Sequence, residues 1–223
     1  MRDPSPHRAG VRQVRLRTSG AKMERRPDGS ILVTPDEPLG PYPKVLTDRV
    51  AQWAAEFPER ICIAKRDAGG EWRRLTYAEI WRAIRSVGEA LLSFGLSADR
   101  PVMILSENDL EQFVLTLAGQ HVGIPVAPIS PPYSLVSKDL GRLRHIANLL
   151  TPGLIFAADG QRYERPLAAI SADKTPIVIT HSRPRGRAAI LFSELQSTKP
   201  TSAVEAAHAR IDPDYVAKFL FTS

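Results

Sequence analysis

The 223-residue sequence has a single cysteine, Cys62. No internal disulfide can form, and a reducing, cytoplasmic setting fits. No apolar run approaches the roughly 18 residues that span a bilayer, and the first residues lack the apolar stretch of a signal peptide. G-x-G-x-x-G, G-x-x-x-x-G-K-[ST], C-x-x-C and H-E-x-x-H are all missing, which removes the usual signatures of a dinucleotide fold, a complete Walker loop, a redox pair and a zinc protease. There is no internal repeat and no low-complexity tract. Net positive charge is also missing from most of the chain: from Pro27 onward 22 basic residues balance 22 acidic ones. Up to Arg26, eight basic residues face only Asp3 and Glu24, and this accounts for the whole formal net charge of +6. A nucleic-acid footprint calls for a basic face with aromatics or a recognisable module, and neither is present. Residues 1–26 therefore read as a solvated, disordered basic tail, and residues 27–223 as an electrically balanced body.

What is present is an ordinary soluble composition, 43% hydrophobic and 24% charged, long enough to bury a core as one large or two small domains. The body is organised around Pro101–Ile129. Pro101–Leu105 is a nearly unbroken apolar run, as in a strand covered on both faces. Asn108 is placed to cap a helix, with Glu111 reaching back to it. Leu110, Phe113, Val114, Leu117 and Ala118 then form one apolar stripe, and Gly123 ends the helix before a strand at Ile124–Pro128. Upstream, Arg26-Pro-Asp-Gly-Ser30 is a turn followed by a strand at Ile31–Thr34. Pro35–Pro43 is an extended connector, and Thr47 caps a helix whose face is Val50, Trp53, Ala54 and Phe57. Ile61–Lys65 and Trp72–Leu75 form a β-hairpin around Asp67-Ala-Gly-Gly70. Thr76 and Glu79 make a capping box for a helix with Tyr77, Ile80, Ile84, Val87, Leu91 and Phe94 on one side, closed by Gly95.

Downstream, the pattern predicts a helix over Val136–Leu150, a strand at Gly153–Ala157, and a short helix over Arg162–Ile170 that kinks at Pro166 or starts near it. A strand at Ile177–Thr180, a helical turn at Phe192–Gln196, an irregular stretch over Thr198–Arg210 and a last strand over Tyr215–Phe221 follow. The alternation from Thr76 is α-β-α-β-α-β-α-β, so the fold class is α/β, a mostly parallel sheet flanked by helices with an N-terminal β-hairpin. Few residues suggest chemistry. His121 sits beside a strand end, where α/β folds often bind ligands, although a structural role suits it better. Arg142, Arg144 and His145, like Arg183, Arg185 and Arg187, read as solvated cationic surface. Asp109 and Glu111 are the acids expected in a helix's first turn. Cys62, between Ile61 and Ile63, reads as a buried strand residue.

Three stretches carry a resemblance: Thr76-Tyr-Ala-Glu-Ile80, Gly119–Pro128 with its continuation to Ile129, and Ala217-Lys-Phe-Leu-Phe-Thr-Ser223. In this order and spacing, from about Glu24 to Ser223, the chain resembles the amino-terminal part of the AMP-forming acyl-CoA synthetases of the adenylate-forming superfamily. Pro38–Pro43, Ala51–Ala54 and Pro128–Leu135 look most like the feruloyl-CoA synthetase branch. The resemblance implies an incomplete adenylation domain over residues 27–223, broken off where the phosphate loop begins. It implies a ligase using ATP, Mg²⁺ and CoA to convert a carboxylic acid, such as a hydroxycinnamate, into an acyl-adenylate and then a thioester. It makes Thr222 and Ser223 the first residues of the ATP phosphate loop, and supplies no catalytic residue and no metal ligand from this chain. The expectation is a fragment that is inactive alone, binds these cofactors poorly and associates through apolar surface left uncovered. A non-catalytic α/β binding module is the alternative from another class. A fatty-acyl-CoA ligase or an amino-acid adenylating domain is the alternative within the superfamily.

Overall fold

The computed structural model describes residues 20–67, 69–170 and 175–222. It divides into a small unit, residues 1–42, and a larger one, residues 43–223. In the small unit, β1 (Ala21–Arg25) pairs antiparallel with β2 (Ile31–Pro35). The turn between them is held by the Asp28 carboxylate, which accepts both the Ser30 N–H and its hydroxyl, and by Gly29 at φ +85°. This shortens the expected tail: Ala21–Arg25 is a strand, because Met23 opposite Val33 and Arg25 opposite Ile31 set a register that the charges at Lys22 and Glu24 disguise. Residues 1–19 lie outside the described residues.

The larger unit runs α1 (Leu46–Glu56), β3 (Ile61–Arg66), β4 (Trp72–Thr76), α2 (Tyr77–Leu92), β5 (Val102–Leu105), α3 (Leu110–His121), β6 (Val126–Pro128), α4 (Gly141–Leu150), β7 (Leu154–Asp159), α5 (Glu164–Ile170), β8 (Ile177–His181), β9 (Ile190–Leu191), α6 (Phe192–Gln196) and α7 (Ser202–Ala209). Strands β5 to β9 form one parallel sheet in the order β6-β5-β7-β8-β9. Strands β3 and β4 form the expected hairpin, with Gly70 at φ +86° in its turn.

Alternation along the sheet sends residues to two cores. Val102, Ile104, Leu154, Phe156 and Val178 face α2, α3, α6 and α7. Met103, Leu105, Ile155, Ala157, Ile177 and Ile179 face α4 and α5. Both faces are covered, so the strands read as continuous apolar runs. Helix α2 begins at its capping box: Thr76 Oγ1 accepts the Glu79 N–H and Glu79 accepts the Thr76 N–H at 2.7 Å. Its Ile80, Ile84, Val87 and Leu91 are buried, each contributing about 1.5–3 kcal/mol. The α3–β6 turn is tight. A Cβ on Gly119 would stand 2.9 Å from the Ile124 carbonyl oxygen, and Gly123 takes φ +75°.

Five readings differ from the sequence analysis. Helix α3 is capped by Asp109, not Asn108: its Oδ1 accepts the Leu110 N–H at 2.8 Å, while Glu111 turns to Arg73. Thr47 lies inside α1, one residue past its start, and its hydroxyl is buried against His121. Val136–Leu150 is not one helix. A single π-type turn at Pro132–Val136 stops at Ser137, and the Ser137 hydroxyl and Asp139 carboxylate take the Leu140 and Gly141 N–H groups before α4 begins. Thr198–Arg210 is not irregular: Thr201 caps α7 through the Ala203 N–H, and Val204 and Ala207 are buried. The segment expected as a last strand makes one parallel bridge, Lys218 to Val126, with two backbone hydrogen bonds.

Candidate functional site

Strand order decides where a ligand can sit. From β5 the chain crosses to β6 on one side, and from β7 it moves to β8 on the other, so the direction reverses between β5 and β7. Open α/β sheets bind ligands outside the carboxyl ends of the strands near such a reversal. A cleft of about 450 Å³ lies on that side of the sheet, beside the reversal, at the carboxyl ends of β5 and β6. One wall is the Ser106–Asn108 loop with Gln112 from the first turn of α3, another is Pro128–Pro131, and Leu220 and Phe221 form the third. Phe221 packs half-buried on the second core, and Thr222, exposed, leads directly away from this wall. Ser223 lies outside the described residues.

The charged groups around the cleft are engaged. Glu107, the one ionisable side chain among the described lining residues, meets Arg162 at 2.5 Å across the β5–β7 reversal, and that hydrogen bond holds the guanidinium proton more firmly. Asp109 is pushed up by burial. The Glu111 carboxyl, the Leu110 N–H and Lys65 outweigh this and hold it below the ordinary aspartate range. Lys65 lies 3.2 Å from Asp109, and Arg73 lies 2.8 Å from Glu111. The first-turn acids of α3 thus clamp the β3–β4 hairpin to the helix; they are not an acid–base pair. Beside them a smaller cavity of about 160 Å³ is lined by Lys65, Asp109, Glu111, Thr180 and His181, and the buried Glu111 Oε2 and Thr180 Oγ1 lack protein partners. Among the described residues no group of three His, Cys, Asp or Glu side chains is arranged to hold a metal ion. Hydroxyls, amides and apolar walls equip the cleft to bind and orient a polar ligand.

His121 lies at the other end of α3. The carboxyl end of a crossover helix adjoins the amino end of the next strand, opposite the ligand side, so the expected nearness to a binding edge does not hold. It is buried, bonded to Thr47 at 2.9 Å and packed on the His208 and Trp81 rings. Burial, then the His208 charge, push it down to about 4. Cys62 is partly buried, which pushes its thiol up. Arg142 stacks over Tyr133 and Arg144 reaches the Asp139 carbonyl, both on the surface. Sequence reasoning missed the Glu107–Arg162 link and the Asp48–His208 pair. Partners 55 and 160 residues apart leave no local signal.

The pattern of the family described as AMP-binding enzyme matches residues 50–223. Peroxisomal OPC-8:0-CoA ligase 1 of Arabidopsis thaliana is 24% identical over 186 residues, covering 83% of this chain and 32% of the ligase. Luciferin 4-monooxygenase of Luciola mingrelica is 29% identical over 84 residues, 38% of this chain and 14% of that protein. Among solved structures, the adenylation domain of a keto acid-selecting NRPS module superposes with a TM-score of 0.59 at 17% identity, over 81% of this chain and 30% of that one. The luciferase-like enzyme from the mealworm Zophobas morio gives 0.58 at 19%, over 80% and 40%. The chain thus spans from a seventh to a third of the length of these curated relatives.

Proposed function

Because this chain belongs to the AMP-binding enzyme family, we propose that residues 27–223 are the amino-terminal part of an adenylation domain in an AMP-forming CoA ligase. In this reading a carboxylate attacks the α-phosphorus of ATP, giving acyl-adenylate and pyrophosphate, and the CoA thiol then displaces AMP. The acid is ferulate or a related hydroxycinnamate. The observation that carries the reading is the cleft at the carboxyl ends of β5 and β6, with Leu220 and Phe221 as its wall. The chain leaves that wall at Thr222, where a phosphate-binding loop would meet the nucleotide. In this reading Thr222 and Ser223 are the first residues of that loop, which would cradle phosphate oxygens with backbone N–H groups. The walls shape and dehydrate the entrance. The reading places the enzyme in the cytoplasm.

The test has two arms. The 223-residue chain with ATP, Mg²⁺, CoA and ferulate should form no thioester; reproducible turnover overturns the inactive-fragment reading. The same chain extended by the coding sequence that follows should form feruloyl-CoA with equimolar AMP and pyrophosphate. Preference for a fatty acid or an amino acid would keep the ligase and replace the substrate. A stop codon after Ser223 together with tight binding of one small molecule would favour a binding module, which the lack of a free ionisable group on the described cleft wall also suits.

A further inference from the structure

Helix α7 sits at the amino end of the ribbon that reaches the cleft. From Ala209 the chain passes Ile211, buried against Gly123, and Tyr215, whose hydroxyl donates to the Gln120 carbonyl at 3.4 Å. It then pairs with β6 through two hydrogen bonds, Val126 N–H to Ala217 and Phe219 N–H to Val126. Phe219 and Phe221 also pack on the second core, and the ribbon continues directly from α7, whose last turn is anchored to α1 and α3.

That anchor is His208. Its Nε2 lies 2.7 Å from Asp48 Oδ1 on α1, and its Nδ1 lies 3.0 Å from the His121 carbonyl oxygen at the end of α3. A carboxylate and a carbonyl only accept. The ring satisfies both only when both nitrogens carry protons; a neutral ring turns one lone pair toward an oxygen. The Asp48 carboxylate is fixed independently, since its Oδ2 accepts the Val45 N–H. The His121 ring stacks on His208 with centroids 4.3 Å apart, and its own Nδ1 is taken up by Thr47, so it stays neutral beside the cation. The other charged or titratable groups nearby are Glu205 on α7, Arg85 on α2, which pairs with Glu205, and Tyr215.

We propose that His208 is a positioning residue whose doubly protonated ring latches α7, and with it the Ile211–Phe221 ribbon, onto α1 and α3. The latch is closed when the imidazolium bridges Asp48 and the His121 carbonyl, and it loosens when the ring loses a proton. Protection of α7 and of the Phe219 amide therefore falls once the ring can no longer donate from both nitrogens, that is, as pH rises. Its consequence for the nucleotide loop rests on the ligase reading; the latch itself does not.

The test uses the 223-residue chain without substrate, so its failure is separate from failure of the ligase reading. Hydrogen exchange, corrected for the intrinsic pH dependence, should show protection in Ala203–Ala209 and at Phe219 dropping about tenfold between pH 5.5 and 8.5. His208→Gln should exchange at the alkaline wild-type rate at both pH values, and Asp48→Asn should flatten the dependence. Glu205→Gln, which breaks only the surface pair on the same helix, should leave it intact. Nitrogen chemical shifts of the wild-type His208 ring at pH 5.5 should report two protonated nitrogens, a readout that survives if the variants fail to fold. A neutral ring at pH 5.5, pH-independent protection in the wild type, or a full pH response in His208→Gln each overturns the proposal.

Discussion

Two residues in the last turn of α3, Gly119 and His121, have costs that can be put in numbers. Gly119 leaves no room for a methyl, because the Ile124 carbonyl oxygen and Val126 Cγ1 both stand 2.9 Å from where a Cβ would go. Gly119→Ala should destabilise by about 1–3 kcal/mol, since a backbone carbonyl cannot step aside as a side chain can. Gly40→Ala, with nothing within 4 Å, should stay near zero. Urea midpoints with unchanged m values separate the two. His121 gives a pH signature of opposite direction to the latch. Its imidazole is held at about 4, below the ordinary 6.5, mainly by burial. Below 6.5 the unfolded chain takes up a proton that the folded chain refuses, so stability is lost as pH falls from about 6.5 toward about 4. The loss from this residue is no more than about 3 kcal/mol. The difference in unfolding free energy between wild type and His121→Asn, followed from pH 7 to pH 4.5, should shrink by an amount of that order. A constant difference would refute the assignment.

At the scale of elements, the β3–β4 hairpin is held to α3 by a partly buried ion pair. The Glu111 side chain is 11% exposed and Arg73 53%. Removing only the cation strands a carboxylate whose second oxygen already lacks a protein partner. Arg73→Met should therefore cost roughly 2 kcal/mol. The double change Arg73→Met with Glu111→Leu should recover most of it, since an apolar pair of similar size avoids the desolvation cost. A double variant as unstable as the single one would mean that hairpin packing, not charge, makes the joint. Element type was legible wherever period and cap agreed: α2 starts at the box that Thr76 and Glu79 announce, and β5 is the apolar run it looks like. It was illegible where side chains competed for the same backbone groups. Asn108 and Asp109 are equally good caps on paper, and only the proximity of Lys65 favours Asp109. Helix α7 hid because half of its short apolar stripe is alanine, whose burial against α2 and α3 no pattern reveals.

For the molecule as a whole, apolar surface is the issue. Leu39, Val136, Leu149 and Leu220 are each at least 66% exposed, and they lie on separate elements. Scattered singly such residues are ordinary, and only where they join into a contiguous patch does the surface favour association. Sedimentation of the 223-residue chain should show mass rising with concentration and little affected by salt. A sharp, reversible thermal transition in a clean monomer would argue that nothing is left uncovered. No helix among the described residues is long and apolar enough to cross a membrane. The sequence by itself determined the α/β class, the β3–β4 hairpin, the buried strands and the family, because these rest on periodicity, caps and short motifs whose information is local. Strand order, and with it the side of the sheet that can bind, was decided only by tertiary structure, since the β5–β7 neighbourhood depends on packing between residues some fifty positions apart. The same holds for the Glu107–Arg162 link and for His208 between Asp48 and His121. A charge finds its partner through the fold, and neither side chain carries in its own neighbourhood any mark of the other.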